Sequence, residues 1–196
     1  MFTGIIQDLG TIKNKDVGLY QISTNLDLSN CKEGSSISCN GVCLTAKNIT
    51  PSNNNSFSFD VNIGEETLKR TNLANSILKN ENINLEKSLQ IGDEISGHFV
   101  YGHVDTTTNV SEILELENSW EYHFEKKFNK NNRFIVEKGS ISINGISLTV
   151  AKVENNNFMI SVIDHTFHHT NLKFLKKSDQ VNIEFDYLAR FILNNE

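Results

Sequence analysis

The chain has 196 residues, with 18 Lys and Arg set against 24 Asp and Glu for a formal net charge of -6. That balance gives no general electrostatic reason to bind nucleic acid or an anionic membrane, and the short clusters Lys126/Lys127/Lys130 and Lys173/Lys176/Lys177 read as solvated faces. There is no apolar run of the roughly 18 residues that would span a bilayer, no leader pattern at the start, and no disulfide framework in the odd set Cys31, Cys39 and Cys43, so the reading is a soluble, cytoplasmic protein.

In chain order, period-two alternation predicts strands over residues 2–12, 17–24, 36–40, 42–49 and 56–61, then a helical segment over 66–78 and a closing strand over 83–86. The same order returns as strands over 99–113, 120–128, 135–143, 146–153 and 158–162, a short helix or turn over 166–172 and a strand over 181–185. Asn clusters at 53–55, at Asn131/Asn132 and at 155–157 read as hairpin tips, as does the single proline, Pro51; the general Asn excess reads as compositional drift. Six short strands around one helix, without crossover helices, favour an antiparallel barrel, because closure removes exposed edges. Residues 186–194 fall outside this pattern. Tyr187, Leu188, Phe191 and Ile192 form a broad apolar stripe on a predicted helix, which is too short to be stable alone and docks on another subunit or on its own barrel.

The two halves are copies. SISCNGVCLTA at 36–46 aligns with SISINGISLTV at 140–150, with identity at Ser36/Ser140, Ile37/Ile141, Ser38/Ser142, Asn40/Asn144, Gly41/Gly145, Leu44/Leu148 and Thr45/Thr149. TLKRTNL at 67–73 answers TFHHTNL at 166–172, INLE at 83–86 answers VNIE at 181–184, and FTGII at 2–6 answers VYGHV at 100–104. The join falls near Gly97. Between the copies Cys43 stands where Ser147 stands, a soft nucleophile against a neutral hydroxyl, which would suit two similar molecules with unequal roles. Cys39 aligns with Ile143 and reads as core, and the Cys39/Cys43 spacing alone does not make a zinc site. Histidines occur only in the second half, where His98 and His103 flank its start and His165, His168 and His169 surround TFHHTNL; a histidine is the usual proton carrier near neutral pH. The adjacent His168 and His169 diverge on any regular element, which disfavours a metal site.

MFTGII at 1–6, SCNGVCLTA at 38–46, ETLKRTNL at 66–73, INLE at 83–86, GHFVYGHVD at 97–105, VEKGSISINGISLTV at 136–150, HTFHHTNL at 165–172 and VNIEFD at 181–186 together resemble the alpha-chain riboflavin synthase family over essentially the whole chain. The resemblance implies an all-β fold of two tandem six-stranded antiparallel Greek-key barrels plus a C-terminal helix, divided as 1–97, 98–186 and 187–196, in a homotrimer with the active site between subunits. It implies the dismutation of two 6,7-dimethyl-8-ribityllumazine molecules to riboflavin and 5-amino-6-(D-ribitylamino)uracil by transfer of a four-carbon unit, the last step of riboflavin biosynthesis. No metal and no organic cofactor are implied, and an association with lumazine synthase is left open. Carried over by position, the first barrel's ligand would meet Gly4, Ile5, Ile6, Cys43, Leu44, Thr45, Asn62, Ile63, Gly64, Glu65, Glu66 and Thr67. The second barrel's would meet His103, Val104, Asp105, Lys138, Ser147, Leu148, Thr149, Ser161, Val162, Ile163, Asp164, His165 and Thr166, with Ser36, His98 and Asp186 at further polar positions. Glu65 and Asp164 stand where proline is common in the family. The expected catalytic group is Cys43, His103, Ser147 and Asp186: at the acceptor the nucleophile is the Cys43 thiolate, a water it places or a ribityl hydroxyl of the substrate, Ser147 stabilises the donor's developing charge, His103 moves the proton, and Asp186 orients His103 or a ribityl chain, with the reverse assignment of donor and acceptor to the barrels left open. Two alternatives are a non-enzymatic lumazine-binding fluorescent relative and a nucleic-acid-binding barrel; the polar set disfavours the first, the acidic balance the second.

Overall fold

The computed structural model describes residues 1–52 and 55–193, so part of the expected tip at 53–55 and residue 194 of the expected final helix lie outside the described residues. The first half contains β1 (Asp8–Asp16), β2 (Leu19–Thr24), β3 (Ser36–Cys39), β4 (Val42–Thr45), β5 (Lys47–Pro51), β6 (Phe57–Asn62), α1 (Glu65–Arg70), α2 (Leu73–Lys79) and β7 (Asn82–Lys87). The second contains β8 (Thr106–Glu115), β9 (Ser119–Glu125), a 3-10 turn (Asn129–Phe134), β10 (Ser140–Ile143), β11 (Ile146–Val153), β12 (Asn157–Ile163), α3 (Asp164–His169), a 3-10 turn (Asn171–Phe174) and β13 (Gln180–Phe185), and α4 (Tyr187–Leu193) ends it.

All ladders are antiparallel, and each half has its own apolar core. The second half is a closed barrel, β10-β11-β12-β9-β8-β13. The first is a seven-stranded sheet, β4-β3-β7-β1-β2-β6-β5, whose two outermost strands follow each other in the chain across Ala46. The counterpart of the continuous β11 is therefore broken there, so the ring is joined by the chain and not by a ladder. Both copies carry a register shift at this point, between Lys47 and Thr50 and between Val150 and Lys152. In the first, Asn48 adopts a left-handed φ of 47° and gives its amide to Asp60 at 3.0 Å, a conformation that Asn tolerates better than most residues.

Period-two burial explains the strands: β10 and β11 pair in the register Ile141↔Leu148 and Ile143↔Ile146, with those four side chains buried and Ser147 and Thr149 on the opposite face. Cys39 is fully buried, as its alignment with Ile143 predicts, and burial pushes its thiol well above the usual range. Some expected boundaries move. The strands predicted from residues 2 and 99 begin only at Asp8 and Thr106, because the chain before each is a loop with Gly4 and Gly102 at φ 76° and 77°. The strand predicted over 135–143 is ordered as a strand only from Ser140. The helix predicted over 66–78 splits at Thr71 and Asn72, both buried, where Asn72 turns its amide towards the other barrel. Glu65 and Asp164 occupy the first turns of α1 and α3, where proline also fits and where a carboxylate complements the helix dipole.

Candidate active site

The site begins with the seam between the barrels. Asn40, Asn72 and Asn84 of the first half align with Asn144, Asn171 and Asn182 of the second, and all six are buried. Their bonds are reciprocal. The backbone N–H of Asn72 donates to the Asn182 amide oxygen at 2.7 Å and that of Asn171 to the Asn84 oxygen at 2.8 Å. Asn72 Nδ2 donates to Asn144 Oδ1 and Asn171 Nδ2 to Asn40 Oδ1, both at 3.0 Å. Asn84 Nδ2 reaches the Asn144 carbonyl at 3.0 Å and Asn182 Nδ2 the Asn40 carbonyl at 2.8 Å. A buried amide without partners would cost about 1–3 kcal/mol per lost group, so this closed set fixes one relative placement of the barrels.

Two segments cross that seam. Phe2 and Val100 exchange backbone bonds at 2.7 and 3.0 Å, after which each segment rests on its own barrel but faces the other. Cys43 donates its N–H to the Gly102 carbonyl and Ser147 its N–H to the Gly4 carbonyl, both at 2.8 Å. Ile6 packs against the second core, and Val104 against the first. Neither glycine could carry a side chain: a Cβ on Gly102 would lie 2.6 Å from Cys43 Cβ, and one on Gly4 would lie 2.6 Å from Ser147 Cβ. The leading segments therefore adjoin the opposite rows from those with which the resemblance groups them. Gly4, Ile5 and Ile6 lie with Ser147, and His103 and Val104 follow Gly102 at Cys43, because the crossing at Phe2/Val100 exchanges the leading segments.

Ser147 has a second partner. His98 Nδ1 lies 2.7 Å from Ser147 Oγ, and the His98 backbone N–H donates to the Thr3 carbonyl at 3.1 Å. Burial lowers the His98 pKa, opposed by the negative charge of Asp186. A neutral imidazole hydrogen-bonded to a hydroxyl, with a carboxylate nearby, can accept a proton. Asp186 thus acts electrostatically on His98, while the His103 ring is exposed and packs beside Tyr101 at 6.4 Å. The sequence sets His98 beside His103 at the start of the second half and among the polar positions, but assigns the proton to His103; its place next to Gly97, at the join, was the available signal.

The other expected residues divide by burial. Leu44, Ile63, Leu148 and Val162 point into the cores, so a ligand could meet them only through backbone. Cys43, Ser147 and Ser36 are half-buried, and Thr45, Thr149, Asn62, Gly64, Ser161 and Ile163 are exposed. Thr45 pairs with Ser36, and Lys47, on the same face as Thr45, bonds Asn62 at 2.9 Å, which links the Cys43 row to the end of β6. Glu65 and Glu66 are exposed and pair with Lys69 and Arg70 on α1. Thr67 and Thr166 accept bonds from Thr71 and Thr170 through their carbonyls, both at 2.7 Å. Lys138 holds a left-handed φ of 67° in the turn that precedes β10. His165 stacks on His169 at 4.2 Å, and His168 lies 3.2 Å from Asp164. Asp105 accepts the Phe185 N–H at 2.9 Å and pairs with Arg190 of α4. Among the described residues no cluster of His, Cys, Asp and Glu is arranged to hold a metal ion, and no helix is long and apolar enough to cross a membrane.

The lumazine binding domain model matches residues 3–88 and 101–186. The riboflavin synthase of Actinobacillus pleuropneumoniae is 39% identical over 196 residues, covering 98% of this chain and 88% of its own. The chain belongs to the riboflavin synthase family. The family extends to Saccharomyces cerevisiae, whose riboflavin synthase is 37% identical over 98% of this chain and 84% of its own, and to that of Bacillus subtilis, 33% identical over 98% and 88%. In fold the chain is similar to LumP complexed with riboflavin, with a TM-score of 0.78 at 22% identity over 94% of this chain and 99% of that one. LumP complexed with 6,7-dimethyl-8-(1'-D-ribityl) lumazine gives 0.75 at 22% identity, with coverage of 94% and 98%.

Proposed function

We propose that this family member is a riboflavin synthase that takes two 6,7-dimethyl-8-ribityllumazine molecules, one at each half-site, and returns riboflavin and 5-amino-6-(D-ribitylamino)uracil. The observation that carries this reading is the pair of matched half-sites whose centres differ as Cys43 and Ser147. A four-carbon unit passes from one substrate to the other, and the atoms balance without a co-reactant. The donor must lose a proton from its 7-methyl group, and the resulting carbanion is delocalised into the pteridine ring. Neutral His98 takes that proton, directly or through water, and the Ser147 hydroxyl donates to the developing charge. The acceptor lies at Cys43, where a thiolate or a water beside it adds reversibly to carbon 7. His103, from the crossing segment, borders this acceptor side. Proximity and orientation supply several further powers of ten.

The assembly proposed is a trimer in which the first barrel of one subunit faces the second barrel of a neighbour. Its support here is α4, whose Tyr187, Leu188, Phe191 and Ile192 are 49%, 61%, 65% and 59% exposed, an apolar face that a neighbouring helix would cover. Purified protein supplied only with the lumazine should consume two molecules for each riboflavin formed. A need for added metal, flavin or nicotinamide would refute the reading, and binding without turnover would favour a LumP-like carrier.

A further inference from the structure

Two buried carboxylates take no part in the chemistry above. Glu86 is 3% exposed and accepts the N–H and hydroxyl of Thr3 at 2.7 and 2.8 Å and the N–H of Gly4 at 3.0 Å. Glu184, its copy, is 6% exposed and accepts the N–H groups of Tyr101, Gly102 and His103 at 2.6, 2.9 and 2.9 Å. Consecutive backbone N–H groups converging on one point need an anion, or at least an acceptor with two oxygens, and a carboxylate supplies about four acceptor positions. Held this way, Gly102 keeps its left-handed φ and turns its carbonyl outward to Cys43, while Gly4 turns its own to Ser147. Each carboxylate is thus on one barrel, and the wall it shapes belongs to the half-site of the other.

We propose that Glu86 and Glu184 are positioning residues acting across the barrel interface: Glu184 shapes the half-site at Cys43, and Glu86 shapes the half-site at Ser147. The inference rests on the riboflavin synthase reading. Replacing either by Gln keeps shape but turns one oxygen into an NH2 group facing N–H donors, so the loop above must move. A displacement of about 1 Å is enough to cost on the order of a hundredfold in turnover.

The test uses the full chain in its native assembly. Cys43 alkylation by iodoacetamide, followed by peptide mass spectrometry so that Cys31 is scored separately, reports the first half-site; riboflavin titration reports the number of ligands bound. In the unaltered protein and in Glu86→Gln, riboflavin should protect Cys43. In Glu184→Gln that protection should fall at least tenfold, with one of the two ligand equivalents lost, and Glu86→Gln should lose the other equivalent. Both variants should lower kcat by about a hundredfold. Glu184→Asp, one methylene shorter but still a carboxyl group, should behave as Glu184→Gln and serves if the amide variant does not fold. Undiminished protection with unchanged kcat in the Glu184 variants would overturn the proposal, as would equal damage to both half-sites by either carboxylate. If the unaltered protein binds and protects but makes no riboflavin, the enzymatic reading fails while the positioning role stands.

Discussion

The two barrels agree where they hold each other and differ at the centres of the proposed half-sites. Asn40, Asn72, Asn84, Gly4, Gly41 and Glu86 each have an identical copy in Asn144, Asn171, Asn182, Gly102, Gly145 and Glu184. At the centre Cys43 becomes Ser147, Ile5 becomes His103, and all six histidines fall at or after position 98. Duplication thus supplied a shared frame, which is closed by a ladder in the second barrel and broken at Ala46 in the first. On the proposed function one half-site offers a nucleophile and the other a hydroxyl with a base.

The comparison breaks most severely if the base is removed. His98→Ala should lower kcat by about 10²–10⁴-fold, the range for losing a positioned general base, with riboflavin still bound at both half-sites. A steady-state measurement giving less than a tenfold loss would return the proton-transfer role to His103. Ser147→Ala should cost about 10²–10³-fold, as for loss of an oxyanion donor, and Cys43→Ser should slow turnover strongly while ligand affinity changes only a few fold. Near-normal turnover in Cys43→Ser would reduce the thiol to a contact and leave a water or ribityl hydroxyl as nucleophile.

A smaller effect separates the two carboxylates. Burial pushes Glu184 up to about 7 from a usual value of 4.5, despite its three N–H partners, with Asp105 adding to the rise; Glu86 is also raised, by burial. An acid whose folded-state pKa is raised holds its proton where the unfolded chain has released it. Stability should therefore be greatest below pH 4.5 as far as Glu184 alone is concerned, fall between about 4.5 and 7, and level off above that, by about 3 kcal/mol in total. Denaturation across this window should show the slope, and Glu184→Gln should flatten it. A slope unchanged in that variant would assign the effect elsewhere. On the frame, Asn144→Ala removes an acceptor for Asn72 Nδ2 and for the Asn182 N–H, and denaturation should show a loss of about 1–3 kcal/mol per orphaned group, or about 2–6 kcal/mol in all.

Much of the fold was legible because it is local and periodic. The residue alternation in 146–153 predicts β11 to the residue, and the repeat divides the chain into two similar units. The crossing of the leading segments was not legible, since it joins Cys43 to Gly102 and Ser147 to Gly4 through backbone groups that leave no pattern in side-chain type. For the same reason the pairing of His98, and not His103, with Ser147 could not be chosen from spacing. The asparagines were the missed signal. Their abundance reads as drift, yet the three pairs that recur in the duplication are the ones that lock the barrels, whereas clusters such as Asn131/Asn132 have no such role. The break at Ala46 was also hidden, because residues 42–49 alternate as well as 146–153 do and only the left-handed Asn48 interrupts them.

The central claim is that two unequal half-sites are each walled by a segment from the opposite half of the duplication. A crystal structure with a non-reacting lumazine analogue in both half-sites tests it directly. The account predicts two ligands per chain, one ring between Cys43 and residues 102–104 and the other, with its 7-methyl group towards His98, between Ser147 and residues 4–6. A ring touching both Cys43 and residues 4–6, or a methyl group directed at Cys43 with none near His98, would contradict it.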